Sequence, residues 1–269
     1  MRLWTATALA ALVAVAAAGL AVAAGPTPGF AQEGVASRDG SLRYVATLHT
    51  NSTYVKVVRY SDYRQIRSRT IRGEYGVPQV AYDGTAGGLT HDGRLLMLES
   101  AAGPNTTRFV VLSTRALKPQ QSVTLQGTWG YDAISPDNRT LYLIQVLPSV
   151  NSIRYLVRAY DLAQHRLVPG AIADKSEPGA MSGLPMSRVE SADGTWVYTL
   201  YQRTTTGGKP FIHALNAQAR VAVCIDLDGW KGSATNLGSV HLTLSADETQ
   251  LIVRRYTDGK ALLTVDAPR

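Results

Sequence analysis

The chain has a single cysteine, Cys224, in 269 residues. That excludes an internal disulfide framework and any metal site built on clustered thiolates. Only one long apolar run is present, at the very start. A protein that crosses a membrane several times is therefore excluded. Charged residues make up only 17% of the chain, but hydrophobic residues reach 45%, too many for broad disorder and enough for a packed core. Beyond the first run, no window carries a convincing 3.6-residue apolar period, which leaves strands rather than amphipathic helices. Catalytic spacings are missing too. The five histidines, at 49, 91, 165, 213 and 241, form neither His-x-x-x-His nor His-Glu-x-x-His. There is no Gly-x-Ser-x-Gly elbow and no Gly-x-x-x-x-Gly-Lys-Ser/Thr phosphate loop. No catalytic residue, metal or cofactor is expected from local motifs.

What is present begins with an export signature. Residues 1–24 hold one charge, Arg2, then an Ala-rich apolar segment ending in small residues at Ala21, Val22, Ala23 and Ala24. A basic start, an apolar middle and a small-residue end predict a secretory signal cleaved after Ala23 or Ala24. Gly29-Phe30-Ala31 is a later option, and an uncleaved anchor is the alternative. Either way the folded part, net positive with 27 Lys plus Arg against 20 Asp plus Glu, lies outside the cytoplasm. Twenty-one of the 27 basic residues are Arg, a bias of GC-rich bacterial genomes. A secreted or envelope location in a bacterium is the resulting expectation, with membrane contact only through an uncleaved first segment. The domain plan is 1–24 as signal, 25–36 as a short linker or first strand, and 37–269 as the folded domain.

A repeat organises that domain. Ser37-Arg-Asp-Gly, Thr90-His-Asp-Gly, Ser135-Pro-Asp-Asn, Ser191-Ala-Asp-Gly and Ser245-Ala-Asp-Glu each precede an apolar run. Their aspartates, Asp39, Asp92, Asp137, Asp193 and Asp247, are spaced by 53, 45, 56 and 54 residues. Ser and Asp side chains bond the local backbone, and Gly or Asn tolerates positive φ, so each unit predicts a tight turn. One Asp per turn argues against calcium, which needs several oxygen ligands from one short segment. Asn51-Ser-Thr, Asn105-Thr-Thr and Asn138-Arg-Thr read as polar turn residues rather than glycan acceptors. Short runs rich in Val, Ile, Leu, Tyr and Thr fill the intervals, among them 42–48, 54–60, 66–71, 108–112, 141–146, 155–161, 196–201, 211–215, 221–227 and 251–256. One strand before each Asp turn and three after it build four-stranded antiparallel sheets. Sheets recurring at about 40 to 55 residues predict an all-β β-propeller of five blades, with the last blade short of a strand. Outer strands such as 221–225 are expected to be buried on both faces, with Cys224 a small buried hydrophobe rather than a reactive thiol.

The stretch Tyr131-Asp-Ala-Ile-Ser-Pro-Asp-Asn-Arg-Thr-Leu-Tyr-Leu, followed by Tyr155-Leu-Val-Arg-Ala-Tyr-Asp-Leu, resembles a blade of the YVTN/lactonase-like propellers. The Ser-Pro-Asp turn is also similar to that of the TolB-like propellers. The resemblance spans most of the chain after residue 37 and is closest in the third repeat. It implies a propeller that serves as a binding or scaffold protein, or a lactonase-like hydrolase or isomerase with catalytic groups at the axis.

Propeller ligands meet the inner strands. Aligned against the Asp turns, Trp129, Tyr131, Asp132, Arg188 and His241 are the residues expected to converge at one channel end, where they would hold an anionic or sugar-like ligand. Glu190 is the other inner-strand acid. A second concentration is basic: Lys56, Arg59, Arg64, Arg67, Arg69 and Arg72 stand against a single acid, Asp62. It predicts contact with an anionic surface, or cations that protect an exposed sheet edge. The function expected first is a non-catalytic envelope propeller that binds a protein or glycan. Nucleic acid is excluded as a partner by export. A hydrolase, and a fragment that completes its ring with a partner, are the alternatives.

Overall fold

The computed structural model describes residues 27–101, 105–148, 153–203, 208–232 and 237–268. The expected signal segment, 1–24, lies outside the described residues. No helix occurs among those described.

Strands follow one another as antiparallel meanders in five sheets. Sheet 1 runs β2 (Val35–Ala36), β3 (Leu42–His49), β4 (Ser52–Arg59) and β5 (Gln65–Arg72) from inside out. Sheet 2 holds β7 (Leu95–Glu99), β8 (Thr106–Ser113) and β9 (Pro119–Gln126), and a Leu89–Leu96 bridge stands in for its inner strand. Sheet 3 is β10 (Trp129–Ile134), β11 (Thr140–Leu147), β12 (Arg154–Asp161) and β13 (Arg166–Leu167). Sheet 4 is β14 (Leu184–Glu190), β15 (Trp196–Gln202), β16 (Phe211–Asn216) and β17 (Val221–Asp226). Sheet 5 has three strands, β18 (Val240–Leu244), β19 (Gln250–Arg255) and β20 (Ala261–Asp266). A two-stranded pair, β1 (Gly29–Phe30) with β6 (Pro78–Gln79), sits beside them.

The Asp turns make these meanders for a local reason that recurs five times. In each, the Ser or Thr hydroxyl donates to the aspartate, as in Ser37–Asp39 at 2.6 Å, Thr90–Asp92 at 2.7 Å and Ser191–Asp193 at 2.6 Å. The aspartate then accepts the backbone N–H two residues on, and the hydroxyl oxygen accepts the N–H five residues on. The residue after the aspartate takes positive φ every time: Gly40, Gly93, Asn138, Gly194 and Glu248. Four of those are the residue types that tolerate this conformation, and Glu248 is the exception. Hydrogen bonds from the hydroxyl and from the local backbone N–H groups lower the pKa of all five carboxyls, that of Asp193 to about 2.

Successive sheets stack face to face through four buried clusters. Val55, Val57 and Ile71 meet Leu96, Leu98 and Leu112. Phe109 and Val111 meet Trp129, Leu141 and Leu143. Tyr142, Tyr155 and Val157 meet Val197, Tyr201 and Phe211. Leu200 and Ile212 meet Leu242, Leu251 and Val253. Each such aliphatic side chain contributes about 1.5–3 kcal/mol when fully buried. This radial stacking of three- and four-stranded antiparallel sheets is a β-propeller. No buried cluster joins sheet 5 to sheet 1 among the described residues.

Two expectations need correction. Strand β17 is not buried on both faces: Val221 and Val223 are 39% and 37% exposed. Their side of the sheet looks toward sheet 5, whose three strands leave no outer strand to cover them. The basic concentration is not uniformly free either. Arg67 donates to the carbonyls of Thr114 and Arg115, and Arg69 to that of Ala116. Both guanidinium groups therefore tie the outer strand of sheet 1 to the β8–β9 turn of sheet 2. Arg59 reaches Asp62 at 3.3 Å, while Arg64 and Arg72 are exposed.

Candidate functional site

The inner strands surround a cavity of about 230 Å³. Its wall includes Val35 and Ala36 of β2, the stretch 85–91, Tyr131 of β10, and Arg188 to Glu190 of β14. The chain packs closely here. A Cβ on Gly87 would stand 2.7 Å from the Tyr131 ring, so glycine is required for that approach. The turn at 81–84 is pinned to β14 by bonds from Tyr82 N–H to the Pro185 carbonyl at 2.8 Å and Asp83 N–H to that of Met186 at 3.1 Å.

Three of the five expected residues come together. A bulge between Tyr131 and Ala133 leaves Asp132 unpaired in the β10–β11 ladder. Asp132 accepts a short bond from Arg188 Nη2 at Oδ1, and its carbonyl accepts one from Nη1 at 2.5 Å. Arg188 Nε donates to Thr199 Oγ1 at 2.9 Å. Both side chains are buried, at 5% and 3% exposure. Burial opposes the charge on Arg188, but the Asp132 carboxylate outweighs it and holds the guanidinium firmly protonated. Tyr131 lines the cavity, and burial raises its phenol far above the ordinary range.

The other two are elsewhere. Trp129 is buried between sheets 2 and 3, with Nε1 donating to the Gln126 carbonyl at 2.7 Å. His241 projects from the face of β18 turned away from sheet 4 and stacks on Tyr256, with centroids 4.6 Å apart. Sequence reasoning missed Arg38 and His91. Arg38 Nη1 lies 2.7 Å from His91 Nδ1, and its other terminal nitrogen donates to the Ala192 carbonyl. The signal was available. Both occupy the variable second position of the Ser/Thr-x-Asp turn, and those turns meet at one end of the cavity.

Chemically the two cavity cations differ. Arg188 is neutralised by Asp132, whereas Arg38 is held by His91 and a carbonyl, neither of which cancels its charge, and Glu190 is exposed at the mouth. Among the described residues, no group of three His, Cys, Asp or Glu side chains is placed to hold a metal ion.

Cys224 faces a separate rim pocket of about 190 Å³ beside Arg203 and Phe211. Burial first, and the Asp174 carboxylate second, push its thiol up to about 12. A thiol reagent at pH 8 should therefore label the native protein on the order of a thousandfold more slowly than the protein unfolded in guanidinium. Cys224 is half-buried but lines the pocket, which gives a reagent a route to the sulfur. Rapid native labelling would contradict this account.

No protein-family model matches the chain, and no curated protein sequence matches it. Solved structures do. The chain is similar to hydrazine synthase of Kuenenia stuttgartiensis, at 18% identity over 81% of this chain and 59% of that one, with a TM-score of 0.49. It is similar to TolB from Acinetobacter baumannii, at 14% identity over 82% and 51%, with a TM-score of 0.46. The β-propeller domain of Swd1 from Myceliophteria thermophila gives 12% identity over 86% and 63%, with a TM-score of 0.45. The chain thus spans less than two thirds of each of these proteins.

Proposed function

We propose that this chain is an extracytoplasmic propeller of the bacterial envelope that works by binding a protein or glycan and does not catalyse a reaction. The observation that carries this reading is the buried pairing in the wall of the axial cavity, where Arg188 lines the space and Asp132 stands behind it. Asp132, which would be the natural acid or base of an axial hydrolase, is committed to Arg188. The cavity, at about 230 Å³, is smaller than the ~300–1,000 Å³ typical of small-molecule sites. The export pattern of residues 1–24 supports the location. The partner contact in this reading runs along the cations of sheet 1 that are not tied to sheet 2, Lys56, Arg64 and Arg72 together with the Asp62-paired Arg59, and favours an anionic polymer.

Two measurements test it. Purified protein, with and without added divalent metal, should hydrolyse no lactone in a screen above the background rate. It should also be retained on a heparin-like resin in a salt-dependent way, and Arg64→Gln with Arg72→Gln should weaken that retention. Lactone turnover abolished by Arg188→Met would overturn the non-catalytic reading. Failure to bind the resin at low salt would overturn the anionic contact.

A further inference from the structure

We propose that the interface between sheets 3 and 4 holds a bound water molecule, clasped by Asp132, His213 and Tyr155. The inference is independent of the binding reading above. One register row crosses sheet 4 from the axis outward: Arg188 pairs with Thr199, Thr199 with His213, and His213 with Cys224. All four lie on the side that packs against sheet 3. Asp132 reaches this row through Arg188, and Tyr155 of β12 faces it from sheet 3. Tyr201 touches both remaining members, with its ring 6.0 Å from Tyr155 and 6.4 Å, edge on, from His213.

Each of the three side chains is at least nine-tenths buried, at 3%, 2% and 0% exposure for Asp132, His213 and Tyr155. Each also keeps one polar atom short of a well-formed hydrogen bond: Asp132 Oδ2, His213 Nε2 and the Tyr155 hydroxyl, whose one polar neighbour is the Tyr201 phenol. Buried polar atoms are almost always satisfied, and three in one neighbourhood call for a shared partner. The described residues supply no partner common to all three, so the partner comes from outside.

Charge decides its class. A cation would meet the Arg188 guanidinium, and an anion would meet the Asp132 carboxylate. The pair is balanced, so the occupant is neutral. Its donors and acceptors must match as well. The Cys224 sulfur lies 3.8 Å from His213 Nδ1. With the thiol donating to Nδ1, the imidazole proton sits on Nε2 and points inward. The occupant then accepts from Nε2–H, donates to Asp132 Oδ2 and exchanges a bond with the Tyr155 hydroxyl. Water meets all three demands, with the two to four polar partners a buried water needs. Arg188 forms the partition, lining the axial cavity and holding Asp132 toward the water.

The full chain tests this in two ways. A crystal structure at high resolution should show ordered solvent within hydrogen-bond distance of both Asp132 Oδ2 and His213 Nε2. Direct contact between those two atoms, or an empty space between them, would overturn the proposal. Tyr155→Phe, an isosteric change, should raise the unfolding equilibrium constant about fivefold to tenfold by removing one partner of the water. A Tyr155→Phe protein more stable than the parent would mean that the hydroxyl was unpaired, and would also overturn it.

Discussion

Replacing Glu99 by Gln should stabilise the protein at pH 8 and leave it little changed at pH 4.5. Glu99 ends β7, 6% exposed, and its Oε2 accepts the Tyr131 N–H at 2.8 Å across the sheet 2–sheet 3 interface. Burial drives its carboxyl up to about 8 from 4.5, and that one backbone bond offsets the rise only in part. Between those pH values the native state binds a proton that the unfolded state has released. Stability from this group is therefore complete below pH 4.5 and is lost as pH rises through 8. The loss is on the order of 5 kcal/mol, at ~1.4 kcal/mol per pH unit. His213 acts in the opposite sense. Burial lowers it from 6.5 to about 4, so its stability is present above 6.5 and lost as pH falls through 4. The two slopes cancel from about pH 4.5 to 6.5, which predicts a plateau there and a decline from 6.5 to 8. Denaturant midpoints across pH 4.5 to 9 should show both features. Glu99→Gln, whose amide oxygen can still accept the Tyr131 N–H, should abolish the decline. A variant weakened by the same amount at every pH would show that Glu99 serves packing alone.

The sheets were legible in the sequence because their cause is local. Ser37, Thr90, Ser135, Ser191 and Ser245 each bond an aspartate two positions on, and no distant residue is needed to form the turn. The site was only half legible because bulges change which way a side chain points. Tyr131, Ser187 and His241 each stand four residues before the serine of an Asp turn and so read as equivalents in the sequence. In sheet 3 the bulge falls after Tyr131, and in sheet 4 it falls before Ser187. Strand β18 has no bulge. Tyr131 therefore faces sheet 2, whereas Ser187 points toward sheet 5 and accepts the Leu242 N–H at 2.9 Å. His241 turns away from sheet 4 altogether. A one-residue offset moves a side chain to the opposite face, and nothing in the local composition announced where the offsets lay. Arg67 and Arg69 show a second limit. Their grip on 114–116 depends on which sheet lies beside the outer strand, so a run of cations that reads as solvated in sequence is partly structural.

Breaking the Asp132–Arg188 pair from one side should be the most damaging single change at the axis. In Arg188→Met the Asp132 carboxylate stays 3% exposed, with Oδ2 lacking a protein partner and Oδ1 losing its own. Removing one member of a buried ion pair costs about 3–5 kcal/mol, because the remaining charge is stranded in a poorly polarisable interior. Asp132→Leu strands the guanidinium instead and should cost a similar amount. The double variant removes both charges and should recover most of the loss, since replacing a whole buried pair by apolar side chains is often neutral. The signature is therefore strong non-additivity in denaturant midpoints. Near-additive costs, or single losses below about 1 kcal/mol, would place the pair among weak surface bridges. The cavity wall would then be free to lend Arg188 to an incoming anion, and the axial pairing that underlies a non-catalytic role would lose its force.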